Sequence, residues 1–210
     1  MNIQQFWIFA LASFLLNITP GNDMLYVASR SAGQGTHAGI ISSLGIFAGC
    51  LVHLMAAMLG LSAIIAESAT LFNMIKYAGA AYLVYLGIKT LLSKSSDGLG
   101  NLQGVQSIKY RKIFWQGALT NMLNPKVALF FLAFLPQFIS PKSAHAWLQI
   151  LFLGTWFNIG GTVVNIIVSM IFGRIGHSLK QSPGWILIQQ KITGLVLILL
   201  GLKVALTSKK

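Results

Sequence analysis

A carboxylate lies inside an apolar run near the start of the chain. It belongs to Asp23, at the end of the stretch 17–23, and the whole sequence holds only three acidic residues. Within this stretch Pro20 supplies no N–H and clashes with the carbonyl four residues earlier, while Gly21 permits dihedrals that a helix does not use. We therefore predict unwound backbone here, although Asp23 could instead be a loop acid just beyond a short span. The same stretch contributes two further candidate polar residues, Asn17 and Thr19.

A second polar stretch, 120–126, lies inside the apolar run 115–136 and carries a positive charge, Lys126. Pro125 predicts a second helix break. An Asp or a Lys at mid-membrane costs about 2.5–3.5 kcal/mol, and opposite charges about 4 Å apart attract by about 4 kcal/mol at an effective dielectric near 20. Asp23 and Lys126 are therefore predicted to offset each other, the alternative being a Lys126 that snorkels to the interface without a partner. The remaining candidates of this stretch are Asn121 and Asn124.

Both breaks present the same kinds of group, which are exposed carbonyls, Asn side chains and one charge. Such groups suit the ammonium and the carboxylate of a zwitterion, although broken helices also hold sodium or simple anions. We predict a binding site for a small solute that carries both charges. Asp23 is predicted to bind substrate and proton in alternation, because it is the acid that lies beside broken backbone.

Weaker candidates lie in other apolar runs. His53 could relay protons, although a lone His bonded to a neighbouring helix is the more common case. Asn158 and Asn165 could line a cavity or form plain interhelical hydrogen bonds. Gly45 and Gly49 have the GxxxG spacing, which indicates close helix packing more often than dimerisation, and a homodimer is left open as a partner.

The composition places these stretches in a membrane protein. The chain is 55% hydrophobic and 9% charged, whereas a soluble domain carries about a quarter charged residues. Its net charge of +12 does not indicate nucleic acid, because the aromatic residues lie within apolar runs and not among the basic ones. The basic residues instead suit anionic lipid beside the spans. The sequence holds no motif for ATP hydrolysis, nucleophilic catalysis or metal binding, so we expect no enzyme, cofactor or metal.

Six apolar runs are long enough to cross a hydrocarbon core of about 30 Å. They cover residues 3–28, 38–66, 71–92, 113–136, 146–172 and 185–206. We therefore predict an all-α integral membrane protein with one transporter domain over residues 1–210. It would consist of a repeat of about 1–92, a linker of about 93–112 and a repeat of about 113–206.

Three helices in each half make the second half enter the membrane from the opposite side, so the repeats are predicted to be inverted, as in many secondary transporters. The third and sixth runs echo each other: Lys76, Gly79, Gly87 and Lys89 in one, Lys191, Gly194, Gly201 and Lys203 in the other. With a cytoplasmic first loop, nine Lys and Arg lie on the cytoplasmic side and five outside. This distribution predicts external termini and a cytoplasmic linker.

The stretch 17–23, followed by residues 28–31 and 33–35, resembles the N-terminal signature of the LysE/RhtB family of amino-acid exporters. The resemblance covers nearly the whole chain, including Gly39 to Gly49, residues 76–87, 117–126 and 130–138. It implies proton-driven export of a small neutral amino acid, or a derivative such as homoserine or its lactone, across the bacterial cytoplasmic (inner) membrane. The family usually has a second proline at the position of Asn22, and the change keeps Asp23.

Two other functions share part of this pattern. A membrane redox protein on a related inverted-repeat scaffold would need a pair of core thiols, and the chain has a single cysteine, Cys50. An importer or a channel for a small solute shares every feature above. Only the direction of flux separates it from an exporter.

Overall fold

The computed structural model describes residues 3–61, 69–92, 107–139 and 145–175, together with helical positions 191, 194–195, 198–199, 201–202 and 205–206. Every element in the described part of the chain is helical, which confirms the all-α class. In chain order the α-helices are α1 (Ile3–Ile18), α2 (Asn22–Gln34), α3 (Thr36–Ala56), α4 (Ala69–Leu92), α5 (Tyr110–Met122), α6 (Pro125–Leu129) and α7 (Ala146–Ile175).

Two helices continue into turns of different winding. A π-helical turn, Ala57–Leu61, follows α3. A π-helical turn, Phe130–Phe134, and a 3-10 turn, Leu135–Phe138, follow α6. We refer to Pro125–Phe138 as the α6 segment.

The helix breaks occur where the prolines predict them. α1 and α2 meet at an angle of 48° across residues 19–21, and α5 meets the α6 segment at 46°. Pro125 lies at the start of α6, where its missing N–H costs no intrahelical bond. Asn124 caps this helix, because its side-chain oxygen accepts a 3.0 Å hydrogen bond from the backbone N–H of Lys126. The unwound residues of the second break are therefore Leu123 and Asn124.

Two helices are long and apolar enough to cross a membrane, Thr36–Gly60 and Ala146–Arg174. Within the described residues the number rises to four if each bent pair is one span. These helices expose large apolar side chains outward, including Met55 of α3 and Trp156 of α7, as lipid-facing surfaces do. The run 185–206 and the linker lie largely outside the described residues, and so do Glu67, Asp97 and Lys210. The six-helix inverted repeat and the orientation therefore stay predictions.

α3 packs along α5 through the GxxxG glycines. A Cβ on Gly49 would lie 3.0 Å from the Cβ of Asn121, and one on Gly45 would collide with the carbonyl oxygen of Phe114. A Cβ on Gly117 of α5 would lie 2.7 Å from the carbonyl oxygen of Ser42. The two backbones approach closely only because these side chains are absent, so the motif serves packing within the chain.

We predict that Gly49→Ala lowers the stability of the purified protein by about 1–3 kcal/mol, because its Cβ overfills the α3–α5 contact. The measurement is thermal unfolding in detergent. Gly60→Ala is the matched control, since a Cβ there meets nothing within 4 Å. Equal unfolding temperatures for the two variants would contradict this packing role.

The glycines that recur in the third and sixth runs lie at one interface. A Cβ on Gly87 of α4 would be 2.7 Å from the carbonyl oxygen of Gly194, and one on Gly201 would be 2.8 Å from the carbonyl oxygen of Ala80. The echo in the sequence therefore marks residues that pack against each other. Such contacts between corresponding helices are compatible with a repeat and do not establish one.

Candidate functional site

Lys126, next to the second break, binds the open end of the first. Its Nζ donates 3.0 Å hydrogen bonds to the carbonyl oxygens of Leu16 and Thr19 at the C-terminal end of α1. Leu16 lies in the last turn of α1, where the helix dipole favours a cation. Its carbonyl also accepts a 3.3 Å bond from the N–H of Thr19, the residue that follows the helix. A Cβ on Gly21 would lie 3.4 Å from this Nζ, so the glycine leaves room for the ammonium.

Asp23 lies in the first turn of α2, where the helix dipole favours a negative charge. Its Oδ2 accepts a 2.8 Å hydrogen bond from Nδ2 of Asn121 on α5. Its Oδ1 is buried and has no hydrogen-bond partner among the described residues, and the same holds for Oδ1 of Asn121. The site thus contains two buried acceptor oxygens without a hydrogen bond. Nδ2 of Asn124 is a buried donor that also lacks one, and it lies near enough to act on Asp23.

Asp23 and Lys126 do not form a direct ion pair: within the described residues, no Nζ–Oδ distance between them falls within 4.0 Å. Each is held by groups from the other break, Asp23 by Asn121 and Lys126 by the carbonyls of α1. Both side chains line one cavity and are close enough to attract each other across it. The predicted electrostatic attraction between Asp23 and Lys126 therefore acts across the cavity, without direct contact between the two charged groups.

The cavity between the breaks has a volume of about 40 Å³. At about 10–15 Å³ for each water, it holds about three water molecules and is smaller than an amino acid. A solute of that class enters only if the lining residues move apart, and in this sense the cavity is closed to it. The lining side chains are those of Asn17, Thr19, Asp23, Met24, Ile46, Cys50, Asn121, Lys126, Val127, Phe157, Asn158, Thr162 and Asn165, with Gly161.

The structure brings most of the predicted site residues to this cavity. Seven of them line it: Asn17, Thr19, Asp23, Asn121, Lys126, Asn158 and Asn165. Four others shape the breaks without lining the cavity: Pro20, Gly21, Asn124 and Pro125. His53 is not part of the lining. Its Nε2 donates a 3.0 Å hydrogen bond to the carbonyl oxygen of Asn121, because a carbonyl can only accept.

The asparagines also hold the helices together. Nδ2 of Asn17 donates a 3.0 Å bond to the carbonyl oxygen of Phe157, and Nδ2 of Asn158 donates a 3.2 Å bond to that of Phe47. A Cβ on Gly161 would lie 2.9 Å from Oδ1 of Asn17. The two alternatives for Asn158, cavity lining and interhelical bonding, are therefore both realised.

Sequence reasoning missed the apolar part of the lining. Ile46 and Cys50 lie one turn apart on α3, and both border the cavity. An Ile or a Cys within an apolar run looks the same whether it meets lipid, core or cavity. The available signal was their position beside Gly45 and Gly49, which mark the inward face of α3. The other apolar lining residues are Met24, Val127 and Phe157.

A family model described as LysE type translocator matches residues 14–208. The chain belongs to this family. The matched region contains both helix breaks and every residue that lines the cavity. Because the family consists of translocators, the prediction that the chain is not an enzyme is supported at the level of the family.

Curated relatives cover most of this translocator. It is 34% identical over 200 residues to the uncharacterized membrane protein YrhP of Bacillus subtilis (strain 168), covering 92% of this chain and 94% of the relative. It is 29% identical over 158 residues to the leucine efflux protein of Salmonella choleraesuis (strain SC-B67), covering 75% of this chain and 74% of the relative. The leucine efflux protein of Salmonella typhimurium matches to the same extent. No solved structure matches the chain.

Proposed function

We propose that this translocator exports a small neutral amino acid, or a derivative such as homoserine or its lactone, from the cytoplasm in exchange for protons. The observation that carries the proposal is the cavity between two helix breaks, which is lined by Asp23 and Lys126 as separate, opposite charges. The relatives described as leucine efflux proteins support an amino acid as the solute. They favour export over the importer and channel alternatives.

Both charged ends of an amino acid find a complementary group in this site. The Lys126 ammonium has three N–H donors, of which two bind the carbonyls of Leu16 and Thr19, so one remains for the substrate carboxylate. The unpartnered oxygens of Asp23 and Asn121 can accept from the substrate ammonium. A second cation, such as a lysine side chain, would lack a counter-charge, because among the described residues Asp23 is the only acidic one that lines the cavity.

The coupling follows from competition at Asp23. A carboxylate that holds the substrate ammonium is deprotonated, whereas a protonated Asp23 offers that ammonium no negative charge. If the transporter reorients only when Asp23 is occupied by substrate or by a proton, outward movement of one zwitterion is matched by inward movement of one proton. This alternation is the antiport cycle of the proposal.

The proposal includes the membrane arrangement. The protein lies in the bacterial cytoplasmic (inner) membrane as a single domain of six helices, with inverted repeats of about 1–92 and 113–206 and a cytoplasmic linker. The similar bends in the two halves, 48° and 46°, support the repeat. The surrounding partners are the lipid bilayer, protons and the amino acid, and the proposal leaves monomer or homodimer open.

The test is efflux from proteoliposomes that contain the purified protein and radiolabelled leucine. Acidifying the outside should accelerate leucine efflux several-fold, because protons then move inward down their gradient as leucine leaves. A protonophore with a potassium clamp should return efflux to the basal rate. Efflux that ignores the pH gradient would contradict proton antiport and indicate a passive carrier or channel.

A panel of unlabelled amino acids in counterflow defines the substrate class. Neutral amino acids should exchange with labelled leucine, and lysine should not, because the described lining offers no second negative charge for its side-chain ammonium. Exchange with lysine as fast as with leucine would contradict the charge assignment. Protein-free liposomes are the control for leakage.

A further inference from the structure

Apolar side chains from four helices line the cavity: Ile46 and Cys50 of α3, Met24 of α2, Val127 of α6 and Phe157 of α7. Ile46 and Cys50 are 5% and 2% exposed, and they are the lining residues that α3 supplies. Neither carries a strong hydrogen-bonding group, since a thiol behaves as a small apolar side chain. The charged groups come from other elements, Asp23 from α2 and Lys126 from α6. In the described lining α3 therefore supplies apolar residues alone, whereas α2 and α6 each supply one charged and one apolar residue.

The cavity is built to receive polar groups as well as apolar ones. Asn121 is 2% exposed and lines the cavity, yet its Oδ1 has no hydrogen-bond partner among the described residues. A buried acceptor without a partner is costly in a finished protein core. Such an oxygen beside the unpartnered Oδ1 of Asp23 indicates a place for a ligand that brings its own donors.

We infer that Ile46 and Cys50 form the side-chain subsite of the transporter, and that their size determines which neutral aliphatic amino acids are exported. The inference rests on the proposed function, because it assumes that the substrate ammonium and carboxylate bind at Asp23 and Lys126. With both ends held there, the side chain has to lie against another part of the lining. The apolar surface of α3 matches the chemistry of an aliphatic side chain.

The competing wall is the polar part of α7, where two of the side-chain donors are occupied. Nδ2 of Asn158 donates to the carbonyl oxygen of Phe47, and Oγ1 of Thr162 donates 2.8 Å to the carbonyl oxygen of Asn158. These bonds leave this wall with fewer free donors for a polar side chain. An aliphatic side chain needs no hydrogen bond from this wall, so both of these bonds can stay intact when it binds.

The small size of the closed cavity makes the subsite sensitive to volume. Its roughly 40 Å³ must expand to admit a side chain, so each added methylene displaces protein. In apolar specificity pockets one methylene changes the preference by about 10- to 200-fold. A larger residue at position 50 should therefore exclude leucine before it excludes alanine.

The first experiment compares counterflow of leucine and alanine in proteoliposomes. Cys50→Leu is expected to lower the leucine-to-alanine ratio by at least about tenfold, and Cys50→Ala to leave it equal or higher. Leu51→Phe is the matched control, because Leu51 is the next residue, is 38% exposed and does not line the cavity. A ratio is used because it does not depend on how much protein inserts.

The second experiment uses the unmodified protein, because Cys50 is its single cysteine. Methyl methanethiosulfonate transfers its CH₃S group to the Cys50 thiolate, so that a mixed disulfide forms, the reagent's S–S bond breaks and methanesulfinate leaves. Intact-mass spectrometry counts the modified fraction. At ten times its Kd, leucine leaves about one site in eleven free, so saturating leucine should slow the modification at least about tenfold. Lysine should not slow it.

The outcomes separate the subsite from the proposed function. Suppose that the wild type exchanges leucine, that leucine does not protect Cys50 and that Cys50→Leu leaves the leucine-to-alanine ratio unchanged. The subsite is then overturned and export stands. If Cys50 is not modified at all, because a buried thiol keeps its proton, the leucine-to-alanine ratio of Cys50→Leu decides the subsite. If the wild type exchanges no amino acid, the proposed function fails and the subsite fails with it.

Discussion

Asp23→Asn is expected to abolish pH-driven leucine efflux while leaving the protein folded and inserted. The amide keeps an oxygen that can accept the 2.8 Å hydrogen bond from Asn121, so the contact between α2 and α5 survives. It carries no charge for the substrate ammonium and takes up no proton in the working pH range. Removing one partner of a buried, hydrogen-bonded charge pair costs about 2–5 kcal/mol, which predicts a fall of at least about 30-fold.

Efflux from acidified and non-acidified proteoliposomes gives the measurement, with Asn22→Ser as the matched control. Asn22 is exposed, lies next to Asp23 in the first turn of α2 and does not line the cavity. Leucine exchange without a gradient should fall together with pH-driven efflux, since both need the carboxylate. Exchange that persists while the pH response vanishes would mean that Asp23 carries the proton and the ammonium binds elsewhere.

Near-normal pH-driven efflux by Asp23→Asn would remove this residue from the mechanism. His53 would then be the next titratable candidate, because it bonds the backbone of Asn121 beside the cavity. Its present hydrogen bond to a carbonyl already fixes a proton on Nε2. A proton that His53 takes up and releases during transport would therefore be carried on Nδ1.

The helix breaks could be predicted from the sequence because proline acts locally. Pro20 and Pro125 disrupt a helix whatever surrounds them, and the structure has breaks at both places. The gathering of Asn17, Asp23 and Asn121 at one cavity was also predictable, since polar groups at membrane depth avoid lipid. Both arguments need only the sequence and the membrane environment. Neither requires the register between helices.

Features that depend on the register between helices could not be predicted. Lys126 binds the carbonyls of Leu16 and Thr19 because the second break lies directly against the end of α1, and nothing in the spacing of residues gives that contact. The place of Cys50 at the cavity is of the same kind, since it requires the rotation of α3 about its axis. The aromatic contacts of the π-helical turn after α6 are of the same kind, such as Phe130 on Phe157 with ring centroids 4.0 Å apart.

Lys126→Ala is expected to weaken leucine binding and to destabilise the protein at the same time. The change leaves the carbonyl of Thr19 without the ammonium, at about 1–3 kcal/mol for an unsatisfied buried group, whereas the carbonyl of Leu16 keeps the N–H of Thr19. It removes the proposed donor to the substrate carboxylate as well. It also removes the positive charge that acts on Asp23 across the cavity, so the pH profile of efflux should shift. Thermal unfolding in detergent and the KM for leucine counterflow give the two measurements.

Leucinol, an analogue that lacks the carboxylate, separates substrate binding from mere stability. If Lys126 binds the carboxylate, leucine should lose at least about 30-fold in apparent affinity in Lys126→Ala, the effect of removing one partner of a buried charge pair. Leucinol should already compete poorly with leucine for the wild type, because it lacks the carboxylate. Lys126→Ala should lower its apparent affinity little further. If Lys126 were purely structural, Lys126→Ala would lower the apparent affinity for leucine and for leucinol by the same factor. Lys112→Ala is the matched control, because it removes the same charge from a residue that is exposed at the start of α5 and is not part of the cavity lining.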